Sequence, residues 1–250
     1  MFLRLFLPAC VAVVLYGTSN QAQAQAEAPT SPPMVVLVGL DGADWKVVRH
    51  LWKAGELPHL RSIADRGVTA DLATDFDARS PIIWTTMATG HGPDVHGIED
   101  FVSDSAGAKS KPVESGNRTA KALWNITTER GLDALVLGWW ASWPVEEIRG
   151  FSLTDRSAYP NPRDNTWPRV PRDELFGWRD AADAELGELY TGPPPPSAQD
   201  RLVSWVARDK LSTGDFDLAM IYLRTVDLTS HRMWRYFEPE TFQPVSAEDQ

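Results

Sequence analysis

The chain has 250 residues, enough for one large domain with a sizeable core, and 43% of them are hydrophobic, a globular composition that argues against wholesale disorder. A formal net charge of -10 argues against a nucleic-acid backbone or an anionic membrane as partner, since both are held by Lys and Arg. It still permits a small phosphorylated substrate, because bound metal ions can supply positive charge; with Cys10 as the single cysteine, such ions must be held by His, Asp or Glu.

The N-terminus reads as a targeting segment. Arg4 gives a basic start, residues 5–16 form an apolar run too short to span a bilayer comfortably, and QAQAQAEA offers Ala-x-Ala cleavage patterns ending at Ala24 or Ala26. Residues 1–26 are therefore expected to be a signal peptide and 27–33 (EAPTSPP) a Pro-rich linker. The mature chain, linker plus a single domain over 34–250, is expected to be exported to the periplasm or beyond, without stable membrane insertion.

MVVLVGL (34–40) is a continuous apolar run, the pattern of a strand buried on both faces of a parallel sheet. It ends at Asp41, where Gly42 permits a tight turn and Asp44 can cap a helix over 45–54. A second helix is predicted over 58–66, between Pro58 and Gly67, and a strand over 68–74 (VTADLAT). Pro81 suits a first helical position and Ser80 the N-cap of a helix over 81–89 that stops at Gly90. Further along come a helix over 119–130, a buried strand over 133–140, a helix over 198–211 and a strand over 217–224. Residues 159–197, rich in proline, read as a long surface excursion, a lid or substrate loop. Alternating strands and helices predict an α/β fold, with a mainly parallel central sheet and helices on both faces.

Ligands of open α/β sheets bind at the carboxyl ends of the strands. Asp41 stands there after the first strand, Asp75, Asp77 and Ser80 after the second, and Asp227 and His231 after the last. Asp227 and His231 are spaced i, i+4, which puts both on one helix face; the spacing suits two ligands of one metal and equally an ordinary surface pair. Ser80, at the positive end of a helix dipole, is either a plain cap or a hydroxyl facing a phosphate. Thr85, Thr86 and Thr89 lie further along the helix and read as structural. The pattern G-x-S-x-G of base-activated hydrolases is absent, and His96 before Gly97 is expected to brace its loop.

Five stretches together resemble the alkaline phosphatase superfamily, and within it the type I phosphodiesterase / nucleotide pyrophosphatase group: VVLVGLDGADW, LPHLRSIADRGV, SPIIWTTMATGHGPDVHGI, VLGWWASWPVE and YLRTVDLTSHRMWRYFEP. The resemblance implies an alkaline-phosphatase-like fold and a centre of two divalent metal ions, zinc in most of the family. It implies Ser80 as nucleophile, bridging toward one metal, with Asp41, Asp227 and His231 as further ligands. The activity implied is a phosphodiesterase working through a phosphoryl-serine intermediate. The alternatives are a phosphomonoesterase or phosphotransferase of the cell envelope, or a fragment that keeps only the scaffold.

Two departures from the family pattern stand out. The family completes its metal centre with an Asp-His pair and a later His; no Asp-His dipeptide occurs here and His231 is the last histidine, so the domain is expected to lack its C-terminal part. Nucleotide pyrophosphatases place an Asn where this chain has Phe101, which weakens the expectation of a nucleotide substrate.

Overall fold

The computed structural model describes residues 11–16, 33–77, 79–103, 110–159, 163–189 and 196–242. The expected signal peptide and linker fall mostly outside them. In chain order the first elements are β1 (Val11–Tyr16), β2 (Val35–Leu40), α1 (Trp45–Lys53), α2 (Pro58–Arg66), α3 (Ser80–Thr89) and the single turn α4 (Pro93–His96). There follow β3 (Val102–Ser103), β4 (Lys111–Pro112), α5 (Leu123–Glu129), β5 (Ala134–Leu137), β6 (Gly150–Leu153) and β7 (Thr166–Trp167). The last are α6 (Arg172–Leu189), α7 (Ala198–Thr213), β8 (Leu218–Leu223) and α8 (Thr225–Phe237).

Six strands form one sheet in the order β1-β2-β8-β5-β6-β7. β2, β8, β5 and β6 run parallel, while β1 and β7 pair antiparallel at the two edges. Residues 11–16 lie within the expected signal peptide; cleavage at Ala24 or Ala26 would remove this strand and leave β2 as the edge.

Strand periodicity sends alternate residues to opposite faces. Val136, Met220 and Tyr222 join Trp84 of α3 and Trp124 of α5 in one buried cluster. Leu135, Leu137, Ala219 and Ile221 join Leu202, Val203 and Val206 of α7 in a second. The mainly parallel sheet with helices on both faces is thus the fold, as the alternating pattern requires. Gly39 is needed on the α3 side: a Cβ there would lie 2.5 Å from the Trp84 ring.

Three sequence expectations fail. Residues 68–74 form no strand: Val68 is 95% exposed and the stretch has no ladder partner among the described residues, so its alternating pattern has nothing to pair with or pack on. Residues 159–197 are not one long loop. They contain β7 and the 18-residue α6, whose Leu175 and Ala182 are buried and whose Trp178 meets Trp205 of α7 at 6.1 Å. The prolines sit before and after α6, and its interior has none. The helix expected over 119–130 starts only at Leu123, where the Asn125 side chain accepts the Ala122 N–H at 2.8 Å.

Candidate active site

Asp41 leaves β2 at the carboxyl edge of the sheet and is 3% exposed. Its N–H continues the ladder to Leu223 O at 2.9 Å, so the turn after β2 is tied to the end of β8. Tyr222, on β8, donates its hydroxyl to Asp41 Oδ2 at 2.5 Å and accepts from Trp140 Nε1 at 2.7 Å. Burial, and then the charge of Asp41, push the Tyr222 phenol well above its ordinary range, so it stays protonated and fixes one Asp41 oxygen.

Gly42 follows with a φ of 71°, and a Cβ on it would stand 2.5 Å from Asp227 Cα. The Asp41 turn therefore lies directly against the first turn of α8. Asp227 and His231 share one face of that helix, with His231 Nε2 3.3 Å from Asp227 Oδ1. The Asp227 carboxyl is held above its usual range, first by burial, then by the negative charge of Asp41, against the opposing effect of His231. His231 itself is 72% exposed at the side chain.

Ser80 is the first residue of α3, with Arg79 as N-cap, one position later in the helix than expected. The reason is backbone pairing: Ile82 N and Ile83 N both reach Arg79 O, at 3.0 and 3.2 Å. No side chain caps this end, so its leading N–H groups are not spent on one. Arg79 pairs with Asp77 at 2.9 Å and with Asp100 at 2.6 Å. One turn beyond Ser80, Trp84 packs edge-on to Tyr222 at 4.9 Å, which seats α3 beside the strand that carries the Asp41 contact. The remaining hydroxyls and histidine are structural. Thr89 Oγ1 donates to Thr85 O at 2.8 Å. Buried His96 accepts from Ile98 N at 3.1 Å through Nδ1 and lies 3.1 Å from Thr86 Oγ1 through Nε2, bracing its loop.

The structure thus brings Asp227 against the Asp41 turn and His231 against Asp227, and places Ser80 at the start of α3, the helix that packs on β8 through Trp84. Among the described residues no three His, Cys, Asp or Glu side chains form a metal-holding group. The donor set nonetheless fits part of a divalent-ion shell: a carboxylate and an imidazole at i, i+4, facing a second buried carboxylate. The mutual repulsion of Asp41 and Asp227 is what a cation between them would relieve.

Beside this edge lies a cavity of about 230 Å³, whose walls include Phe101, Trp140, Asp155, Gln199, Tyr222 and Arg224. Of these only Phe101 and Trp140 stood out in the sequence. Trp139 is fully buried and bonds Trp84 O at 2.9 Å, whereas Trp140 faces the cavity. Tyr222 and Arg224 read as the end of a core strand and carried no separate signal.

The mainly parallel sheet with helices on both faces is the architecture of the alkaline phosphatase superfamily, a class of phosphoester hydrolases. The chain belongs to the type I phosphodiesterase / nucleotide pyrophosphatase family, which it matches over residues 35–250. No curated protein and no solved structure matches it. The family hydrolyses phosphodiester bonds and is generally metal-dependent.

Proposed function

We propose that the protein is an exported phosphodiesterase with Ser80 as nucleophile and with Asp41, Asp227 and His231 among the ligands of two divalent ions, zinc by family habit. The observation that carries the reading is the apposition of Asp41 and Asp227 across Gly42. Two like charges pressed together at a sheet edge raise the energy of the empty site, and the family's metal dependence gives that arrangement a purpose.

In this reading Ser80 Oγ attacks phosphorus in line with the leaving alcohol. The phosphoryl group is transferred to Oγ, and water then cleaves the phosphoserine to regenerate the hydroxyl. The Ser80 N–H and the positive end of the α3 dipole would face negative charge at the phosphoryl oxygens. Tyr222 holds one oxygen of Asp41 and so fixes the orientation of that carboxylate. Bound there, divalent ions would supply Lewis acidity and offset the charge of the carboxylates. A small phosphorylated substrate fits the acidic chain, and export is supported by the apolar run and Ala-x-Ala pattern at the N-terminus. Among the described residues no helix is long and apolar enough to cross a membrane.

The test is hydrolysis of bis(4-nitrophenyl) phosphate with and without zinc. Turnover is expected only with the metal, and Ser80→Ala is expected to lower kcat by at least ~10³-fold. Turnover that survives the substitution overturns the nucleophile. Faster hydrolysis of 4-nitrophenyl phosphate would favour a monoesterase, and an absence of both zinc binding and turnover would favour a non-catalytic scaffold.

A further inference from the structure

Arg224 lines the cavity beside Asp41 and carries a cation that forms no ion pair among the described residues. Arg224 follows β8 as the N-cap of α8, two residues after Tyr222 and three before Asp227. Its Nε is buried and has no hydrogen-bond partner, and its guanidinium makes no ion pair among the described residues. The nearby carboxylate of Asp200 is spent on backbone, accepting from Arg224 N at 3.0 Å and Thr225 N at 2.7 Å. The other arginine of the cavity is engaged: Arg156 donates to Val113 O at 2.7 Å and stacks over Trp143 at 4.3 Å. A buried guanidinium nitrogen without an acceptor is costly, and the group's planar fork matches the oxygens of a carboxylate or phosphate.

Part of the wall is aromatic, beside the polar side chains of Asp155 and Gln199. Phe101 meets Trp140 edge-on at 5.8 Å, and Trp140 meets Tyr222 at 6.4 Å. At about 230 Å³ the space is smaller than the ~300–1,000 Å³ of complete small-molecule sites, so it takes one part of a ligand. Through Tyr222 it adjoins Asp41.

We propose that this cavity is a subsite for a second oxyanion of the substrate, a carboxylate or phosphate carried on a flat apolar group, held by Arg224 against Phe101 and Trp140. The placement relative to the scissile bond rests on the phosphodiesterase reading; the anion site itself does not. The substrate class that follows is a phosphodiester with an additional acidic group on the part retained in the cavity.

The test is calorimetric titration of the protein, in chelator, with phenylphosphonate, benzoate and benzyl alcohol. Both anions are expected to bind about tenfold or more tightly than the alcohol. Arg224→Met should erase that preference and Arg224→Lys should keep part of it. The ratio of phenylphosphonate to benzoate tells which oxyanion the site favours. Equal binding of anions and alcohol by the unmodified protein, or an unchanged preference in a folded Arg224→Met protein, overturns the proposal. Since no metal or turnover enters this measurement, loss of the hydrolase reading would leave its outcome intact, and the reverse holds as well.

Discussion

Gly42 is where backbone conformation and site geometry meet. Its left-handed φ suits glycine alone, and the missing Cβ lets Asp227 approach. Gly42→Ala therefore carries two costs, the conformational one and a clash with backbone that cannot swing away. A loss of about 2–4 kcal/mol of stability in urea unfolding is expected, together with weaker zinc binding as Asp227 is displaced. Gly90→Ala is the control: its φ of 70° is the same kind, but a Cβ there meets nothing within 4 Å, so only the conformational cost of about 1 kcal/mol remains. Equal losses at the two positions would refute the close approach. At this scale the sequence was informative where chemistry and position coincide. Asp44 caps α1 through Lys46 N at 2.6 Å, and the Asp227–His231 spacing produces the contact it suggests. Arg224 was hidden because its significance lies in having no ion-pair partner among the described residues, which no spacing encodes.

Elements were legible when an apolar run had somewhere to be buried. β2, β5 and β8 are continuous apolar runs because both faces of the parallel sheet are covered. Residues 68–74 have a strand's alternation but no strand partner among the described residues, and α6 was hidden by the prolines that flank it. A weakly buried case is α8, which carries both Asp227 and His231 and buries none of its 13 residues. It is held by its N-terminal bonds to Asp200, by Lys46 with Glu238 at 2.8 Å, and by the edge of Phe237 on His50 at 5.7 Å. By contrast α7 buries six residues, four of them in the core cluster on the sheet. Amide exchange in α8 is expected to be faster than in α7, and zinc is expected to slow it, because an ion shared with Asp41 would tie the helix to β2. Equal protection of the two helices without metal, or no response of α8 to zinc, would count against both points.

At the scale of the whole molecule, the cavity wall makes folding stability depend on pH. Asp155 follows β6, and its carboxyl accepts from Ser142 Oγ at 3.2 Å and Trp143 N at 3.0 Å inside the fold. Burial pushes its pKa up from 3.8 to about 6, with the charge of Arg156 opposing the rise only in part. The unfolded chain then gives up this proton at lower pH than the folded one. Below about pH 4 both states keep it; between about 4 and 6 only the folded state does, so the folded state loses ground as pH rises; above about 6 the loss is complete, on the order of 2–3 kcal/mol. Other groups slope the opposite way. Asp100 and Glu238 are held below their ordinary values by Phe101 N–H and Lys46 respectively, and buried His96 is held low by desolvation, so each adds stability as pH rises. The net curve of the protein alone therefore does not isolate Asp155. Asp155→Asn does, because it keeps an oxygen for Trp143 N–H and Ser142 while removing the titration. The stability of the variant relative to the unmodified protein, from urea midpoints at pH 4, 5, 6 and 7, should rise by 2–3 kcal/mol across the series, about 1.4 kcal/mol per unit of pKa displacement. A difference that stays flat with pH would mean that the carboxyl titrates as an ordinary surface acid, and that the cavity wall it forms is open to water.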